Sequence, residues 1–129
     1  MDAADPASLL LTVEKTPFDL DLFIRGLAGD WSDGPQNALR YVGGRVYRGA
    51  KFLSPGADDF KIADSDWGGG NNGATNCGSS TPIEIGTPLS LDCSGNSGNI
   101  GITVPALGTY DFSLLVPESG APELTVSGP

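Results

Sequence analysis

Apolar and polar residues alternate in several short stretches of the chain, a spacing of two that is typical of β-strands with one buried face. In residues 19–25, Leu22 and Ile24 fall on one face and Arg25 on the other, with Phe23 as an aromatic exception on that polar face. No segment follows the 3.6-residue period of an amphipathic helix. The pattern therefore predicts a strand here and a chain made mainly of strands.

Further strands are predicted wherever such stretches are bounded by Gly, Pro, Asn or Ser. They cover residues 8–14, 38–42, 45–53, 59–63, 82–85, 89–93, 99–104 and 108–116, and Leu124 and Val126 mark a last one. Within residues 59–63, the alternation places Phe60 and Ile62 inward and Lys61 outward. Many short strands at roughly ten-residue spacing predict an all-β fold, an immunoglobulin-like antiparallel β-sandwich with long loops.

Length and composition favour one small domain. The chain has 129 residues, 19 of them glycine and 10 proline, which suits one strand-rich domain. We expect residues 1–7 to be a linker remnant and residues 8–129 to form a single domain taken from a larger protein. The net charge of −9 disfavours a nucleic-acid partner. No apolar run reaches the ~20 residues that span a bilayer, so no membrane insertion is expected.

Cys77 and Cys93 are the two cysteines, and both lie in sequence rich in Ser, Gly and Asn. Such a pair in a loop-rich acidic domain predicts one disulfide and a secreted, extracellular or bacterial cell-surface location. Two free thiols or half of a metal site are the alternatives, although the chain has no histidine to complete a zinc site. Without histidine, the chain also lacks the usual general base, and we expect no catalytic site.

Trp31 and Trp67 both lie in loops among small polar residues, whereas a core tryptophan normally falls within a strand pattern. A sugar ring binds by laying its apolar C–H face on a flat aromatic ring while polar groups bond its hydroxyls. Lys61, Asn71, Asn72 and Asn99 are the candidate polar groups. The alternative is that one or both indoles cap the end of the sandwich.

Acidic and basic side chains near these tryptophans suggest weaker candidates. Asp64 and Asp66 flank Trp67, but a glycosidase needs two carboxylates across a cleft, for which a small strand-rich domain has little room. The oxygen-rich stretch 64–76 suits Ca²⁺ but lacks the spaced pattern of an EF-hand, so we expect no cofactor and keep calcium as an alternative. Arg25 and Arg40 are interpreted as solvated residues on strand surfaces.

Several short motifs resemble those of α-glucan-binding modules, which are found as accessory domains of pullulanase-type enzymes and in outer-membrane starch-binding proteins. The glycogen-binding module of the AMP-activated kinase β subunit is a more distant relative by the same motifs. The motifs are residues 22–26 with Trp31, residues 60–63 and 66–68, and residues 98–100 and 108–110. The long loop over residues 68–80, which contains Cys77, departs from the family pattern and can cover or reshape a binding site.

The resemblance implies a function and the residues that perform it. Trp31 and Trp67 would stack on glucose units, Lys61 would bond sugar hydroxyls, and Asn99, with Asn72 less closely matched, would complete the site. The expected function is therefore non-catalytic binding of starch, glycogen or pullulan by a module covalently linked to neighbouring domains of a secreted protein, such as a glycoside hydrolase. The alternative is a structural spacer or protein-interaction domain of such an enzyme that binds no sugar.

Overall fold

A computed structural model describes residues 17–18 and 21–129, and these residues form an all-β structure. Two short 3₁₀ turns, Leu27–Gly29 and Pro35–Asn37, are the only helical segments in this part of the chain, and no helix in it is long and apolar enough to cross a membrane. The described residues contain nine strands: β1 Leu22–Arg25, β2 Ala38–Gly43, β3 Val46–Leu53, β4 Gly56–Ala63, β5 Asn76–Cys77, β6 Leu89–Ser90, β7 Ile100–Val104, β8 Gly108–Leu115 and β9 Glu123–Ser127.

The strands pair in antiparallel fashion as one curled sheet in the order β5-β4-β1-β2-β3-β8-β9-β6, and β7 also pairs with β4. Strand β2 joins the two halves, because Ala38 and Leu39 pair with β1 whereas Arg40 and Tyr41 pair with β3. The curled sheet therefore folds over so that β1, β4 and β7 face β3, β8 and β9.

The core lies between these two halves. Phe60 of β4 meets Phe112 of β8 edge-on, with ring centroids 5.6 Å apart, and both rings are fully buried. Alternate residues of β7 and β8 point into the same core and account for much of its apolar volume: Ile100, Ile102, Val104, Tyr110, Phe112 and Leu114. This arrangement confirms the predicted antiparallel β-sandwich, whose stability comes mainly from burying these side chains.

Two of the predicted strands differ from the structure. Residues 82–85 were expected to form a strand, but only Ile83 pairs, through an isolated bridge to Ile102. Proline at position 82 has no N–H to donate to a ladder, and the Thr87 N–H turns back to the Glu84 carbonyl at 3.1 Å. The strand expected at 89–93 shortens to β6, and the one expected at 8–14 lies outside the described residues.

The second face of β1 and β4 is also covered. Arg25 and Lys61 are directly paired across the two strands and are only 7% and 8% exposed. Phe23 and Ala63, the next pair on this face, are buried as well. Lys61 does lie on the opposite face from Phe60, as the alternation predicted, but the expectation that it faces solvent is wrong because loop residues from elsewhere in the chain cover it.

Candidate functional site

The two tryptophans lie side by side at one end of the sheet. Their ring centroids are 6.1 Å apart and their planes are tilted by 41°. Each tryptophan is intermediate in burial, so neither residue is fully enclosed in the core. The pair therefore presents two tilted rings at the boundary between the protein interior and solvent.

The position of Trp31 depends on a glycine at the end of β1. Gly26 has φ +125°, and a Cβ there would lie 2.7 Å from Cη2 of Trp31 and 2.8 Å from the carbonyl oxygen of Asp59. The Gly26 N–H donates to the Asp30 carbonyl at 2.8 Å and closes the short loop that carries Trp31. The absence of a side chain at position 26 thus allows the indole edge to rest against β4.

The position of Trp67 depends on a buried carboxylate at the end of β4. Oδ1 of Asp64 accepts the backbone N–H groups of Asp66 at 2.9 Å and Gly68 at 2.8 Å, so it holds both sides of Trp67. Oδ2 accepts the hydroxyl of Thr75, at the far end of the same loop. Trp67 itself has φ +53°, a left-handed conformation that this network maintains.

Glycines and a disulfide fix the rest of this loop. A Cβ at Gly73 would lie 2.7 Å from Cα of Gly95, so the loop packs backbone against backbone on the turn that follows Cys93. Cys77 and Cys93 are disulfide-bonded, which confirms the predicted pairing. The Trp67 loop, residues 64–75, is therefore held against a segment distant in sequence at two points, by Gly73 within the loop and by Cys77 just after it.

Arg25 connects the two tryptophans. Its guanidinium carbon lies 3.7 Å from the ring centroid of Trp67, while its Nε donates to the carbonyl of Trp31 at 2.7 Å. A second nitrogen donates to the carbonyls of Asp64 and Ser65 at 2.7 and 3.2 Å. The interpretation of Arg25 as a solvated strand residue is therefore wrong, because it is a buried cation that stacks on the Trp67 ring and holds the backbone of Trp31. Arg40, in contrast, is exposed.

The electrostatic state of Asp64 follows from this surrounding network. Burial raises the pKa of its carboxyl, but hydrogen bonds from Thr75, Gly68 and Asp66 lower it, and so does the charge of Arg25. The lowering contributions prevail, and the net pKa lies below the ordinary range for an aspartate. Asp64 is therefore ionised at neutral pH, as the loop geometry requires.

We expect Asp64→Asn to lower the free energy of unfolding by about 1–3 kcal/mol at pH 7, because hydrogen bonds to a charged acceptor are lost. A carboxyl whose pKa is lower when folded stabilises the protein above its unfolded pKa of about 4, and this contribution disappears as the pH falls through the folded value. The difference in melting temperature between wild type and variant should therefore shrink below about pH 4. A difference that stays constant from neutral to acid pH would contradict this role.

The three polar residues that the resemblance implies differ in their exposure and in their hydrogen-bond partners. Nδ2 of the exposed Asn99 donates to the Asp59 carboxylate at 2.9 Å, next to the strand position on which Trp31 rests. Asn72 is exposed on the Trp67 loop, with φ +60°. Nζ of Lys61 instead donates to the Ser97 carbonyl at 2.9 Å, and burial lowers the pKa of this lysine while the nearby Asp92 opposes the shift.

Sequence analysis named Arg25 as a solvated strand residue, Asp64 as a possible catalytic or calcium-binding carboxylate and Gly26 only within a motif, so it missed the roles of all three in this site. Each acts by holding a backbone segment or a ring in place, and no residue pattern along the chain marks such a role. In the described ranges, no group of three or more His, Cys, Asp or Glu side chains is arranged to hold a metal ion.

Comparisons with known proteins support the fold. No protein-family model matches the chain, and no curated protein matches it either. A solved structure described as "Ligand induced structure of AmyP-SBD" matches 98% of this chain and 92% of its own, with a TM-score of 0.65 and 23% sequence identity. The two chains therefore share their β-sandwich fold.

Proposed function

We propose that this protein is a non-catalytic carbohydrate-binding module whose ligand, an α-linked glucan, lies across Trp31 and Trp67. The observation that carries the proposal is the pair of half-buried indoles 6.1 Å apart. Support also comes from the fold that the chain shares with AmyP-SBD and from the motifs that resemble those of α-glucan-binding modules.

The site is suited to a ligand that is apolar on its ring faces and polar at its rim. Indoles offer a large rigid surface and lose little conformational entropy on binding. The contacts of Arg25 and Asp64 hold the Trp67 ring and the backbone of Trp31 before a ligand arrives, so less of the binding free energy is used to order the site. A neutral sugar is also indifferent to the net charge of −9, which would repel an anionic polymer.

The tilt between the rings favours α-linked over β-linked glucan. An α-1,4 bond turns each glucose relative to the previous one, so the chain curves and successive ring faces are not parallel. A β-1,4 chain is extended and flat, and it fits coplanar aromatic rings better. Planes tilted by 41° match the curved chain.

Polar contacts to the sugar rim would come from both sides of the indole pair. Asn99 and the Asp59 carboxylate lie on the Trp31 side, and Asn72 lies on the Trp67 loop. Lys61 would have to leave the Ser97 carbonyl to reach a sugar hydroxyl. We therefore assign Lys61 a supporting role, in which it holds the turn against which the Trp67 loop packs.

A single shallow site of this kind should bind weakly, with a Kd on the order of 0.1–1 mM. In a larger secreted protein, such a module would keep a linked glycosidase or capture system close to its polymer, and neighbouring modules would strengthen the attachment through avidity.

Isothermal titration with maltoheptaose, pullulan and cellohexaose tests the proposal. We expect maltoheptaose and pullulan to bind with a Kd on the order of 0.1–1 mM and cellohexaose to bind much more weakly. Reducing ends should not accumulate, because the module is not a hydrolase. Absence of binding to all three sugars would favour the spacer or protein-interaction alternative, and sugar turnover would favour an enzyme.

A further inference from the structure

Phe52 is the most exposed large hydrophobic residue in residues 21–129, with 66% of its surface open to solvent. It lies near the end of β3 and is paired with Thr109 of β8, while its neighbour Leu53 is buried in the core. A single exposed apolar residue is common on protein surfaces and means little by its exposure alone. The surroundings of Phe52 are what distinguish it.

Phe52 borders a depression at the turn between β3 and β4. Its lining includes Ala28, Ser54 and the first residues of β4, Gly56, Ala57 and Asp58. Ala28 belongs to the same short loop as Trp31, and its N–H donates to Oδ2 of Asp58 at 2.9 Å. The loop that carries Trp31 therefore forms one wall of this depression.

The depression and the tryptophan pair are adjacent along β4. Gly56, Ala57 and Asp58 line the depression, and the edge of Trp31 packs near Asp59 and Phe60, the next residues of the strand. Three strand residues span about 10 Å, so one ligand of modest length can cover both places.

We propose that Phe52 and this depression form a second subsite for the same glucan chain, so that the module selects longer glucans over short oligosaccharides. This inference rests on the proposed function. The phenyl ring would receive an apolar sugar face, and the Ser54 hydroxyl would bond its rim. Asp58 accepts the N–H groups of Ala28 and Asp59, and a carboxylate with about four lone-pair sites keeps capacity for sugar hydroxyls.

A chain-length series tests the subsite. We expect Phe52→Ala to weaken maltoheptaose binding about three- to tenfold, the effect of losing one aromatic stacking contact, and to leave maltotriose binding unchanged. Phe52→Tyr should retain the wild-type preference for length, and Phe52→Leu should behave like the alanine variant because it keeps apolar surface but has no ring.

Val42→Ala is the matched control, because Val42 is also exposed, at 51%, and lies on β2 towards the opposite end of β3. This variant should bind every sugar as the wild type does. If Phe52→Ala binds all lengths like wild type, or loses affinity equally for maltotriose and maltoheptaose, the subsite is overturned while the proposed function stands. If the wild type binds no glucan, the proposed function fails and the subsite fails with it.

Discussion

Trp67→Ala is expected to weaken maltoheptaose binding more than tenfold, a loss above about 1.4 kcal/mol. The substitution removes half of the aromatic surface and the ring on which the Arg25 guanidinium stacks. Trp31 then loses its neighbour, and one ring cannot hold two successive glucose units. Isothermal titration of wild type and variant gives the ratio directly.

Two control variants separate a binding effect from a folding effect. Trp67→Phe keeps a flat ring and should retain part of the affinity, whereas Val42→Ala should retain all of it. The Trp67→Ala variant should keep the cooperative unfolding of wild type, because Trp67 lies outside the main core cluster. An alanine variant that binds maltoheptaose as tightly as wild type would show that the ligand lies elsewhere.

Removing the disulfide by Cys77→Ser and Cys93→Ser should lower the free energy of unfolding by about 3 kcal/mol, the chain-entropy value for a loop of this size. Glucan affinity should fall in the same double variant. Cys77 follows the Trp67 loop, and its bond to Cys93 holds that loop beside the turn at Gly95. Denaturant unfolding and titration with maltoheptaose measure the two effects separately.

Reducing agent supplies the control for this second prediction. It should lower the free energy of unfolding of the wild type to near that of the double-serine variant. The variant itself should be unaffected, because both of the chain's two cysteines are replaced in it. Equal stability and equal affinity in the oxidised protein and the double variant would mean that the loop is held by its glycine contacts and by Asp64 alone.

The alternation of residues predicted most of the fold. Ile100, Ile102 and Val104 of β7 and Tyr110 and Phe112 of β8 were assigned to shared faces from their spacing, and all five are buried. The prediction succeeds because successive side chains on a strand point to opposite faces, and one of these two faces is packed against the core. The strand predicted over residues 82–85 does not form, because the local turn and Pro82 prevent a ladder although the residues are partly apolar.

The same alternation could not show what covers the second face of β1 and β4. It placed Arg25 on the polar face of one strand and Lys61 on the outward face of another, and the register shows that the two are paired. It gave no information about the loops that bury them. Those loops come from residues far along the chain, and their packing depends on close approaches at Gly73 and Gly95 that follow from no local pattern. Local composition made Trp31 and Trp67 candidates, but only the pairing of β1 with β4 brings them together.

The most direct test follows the two indole N–H resonances in a ¹H–¹⁵N spectrum of labelled protein during titration with maltoheptaose. The chain has two tryptophans, so two such signals report on Trp31 and Trp67, and the Trp67→Ala variant assigns them. We expect both signals to shift along one saturation curve with a Kd on the order of 0.1–1 mM, and to remain still with cellohexaose at the same concentration. Indole signals that stay in place while maltoheptaose saturates the protein would contradict the account.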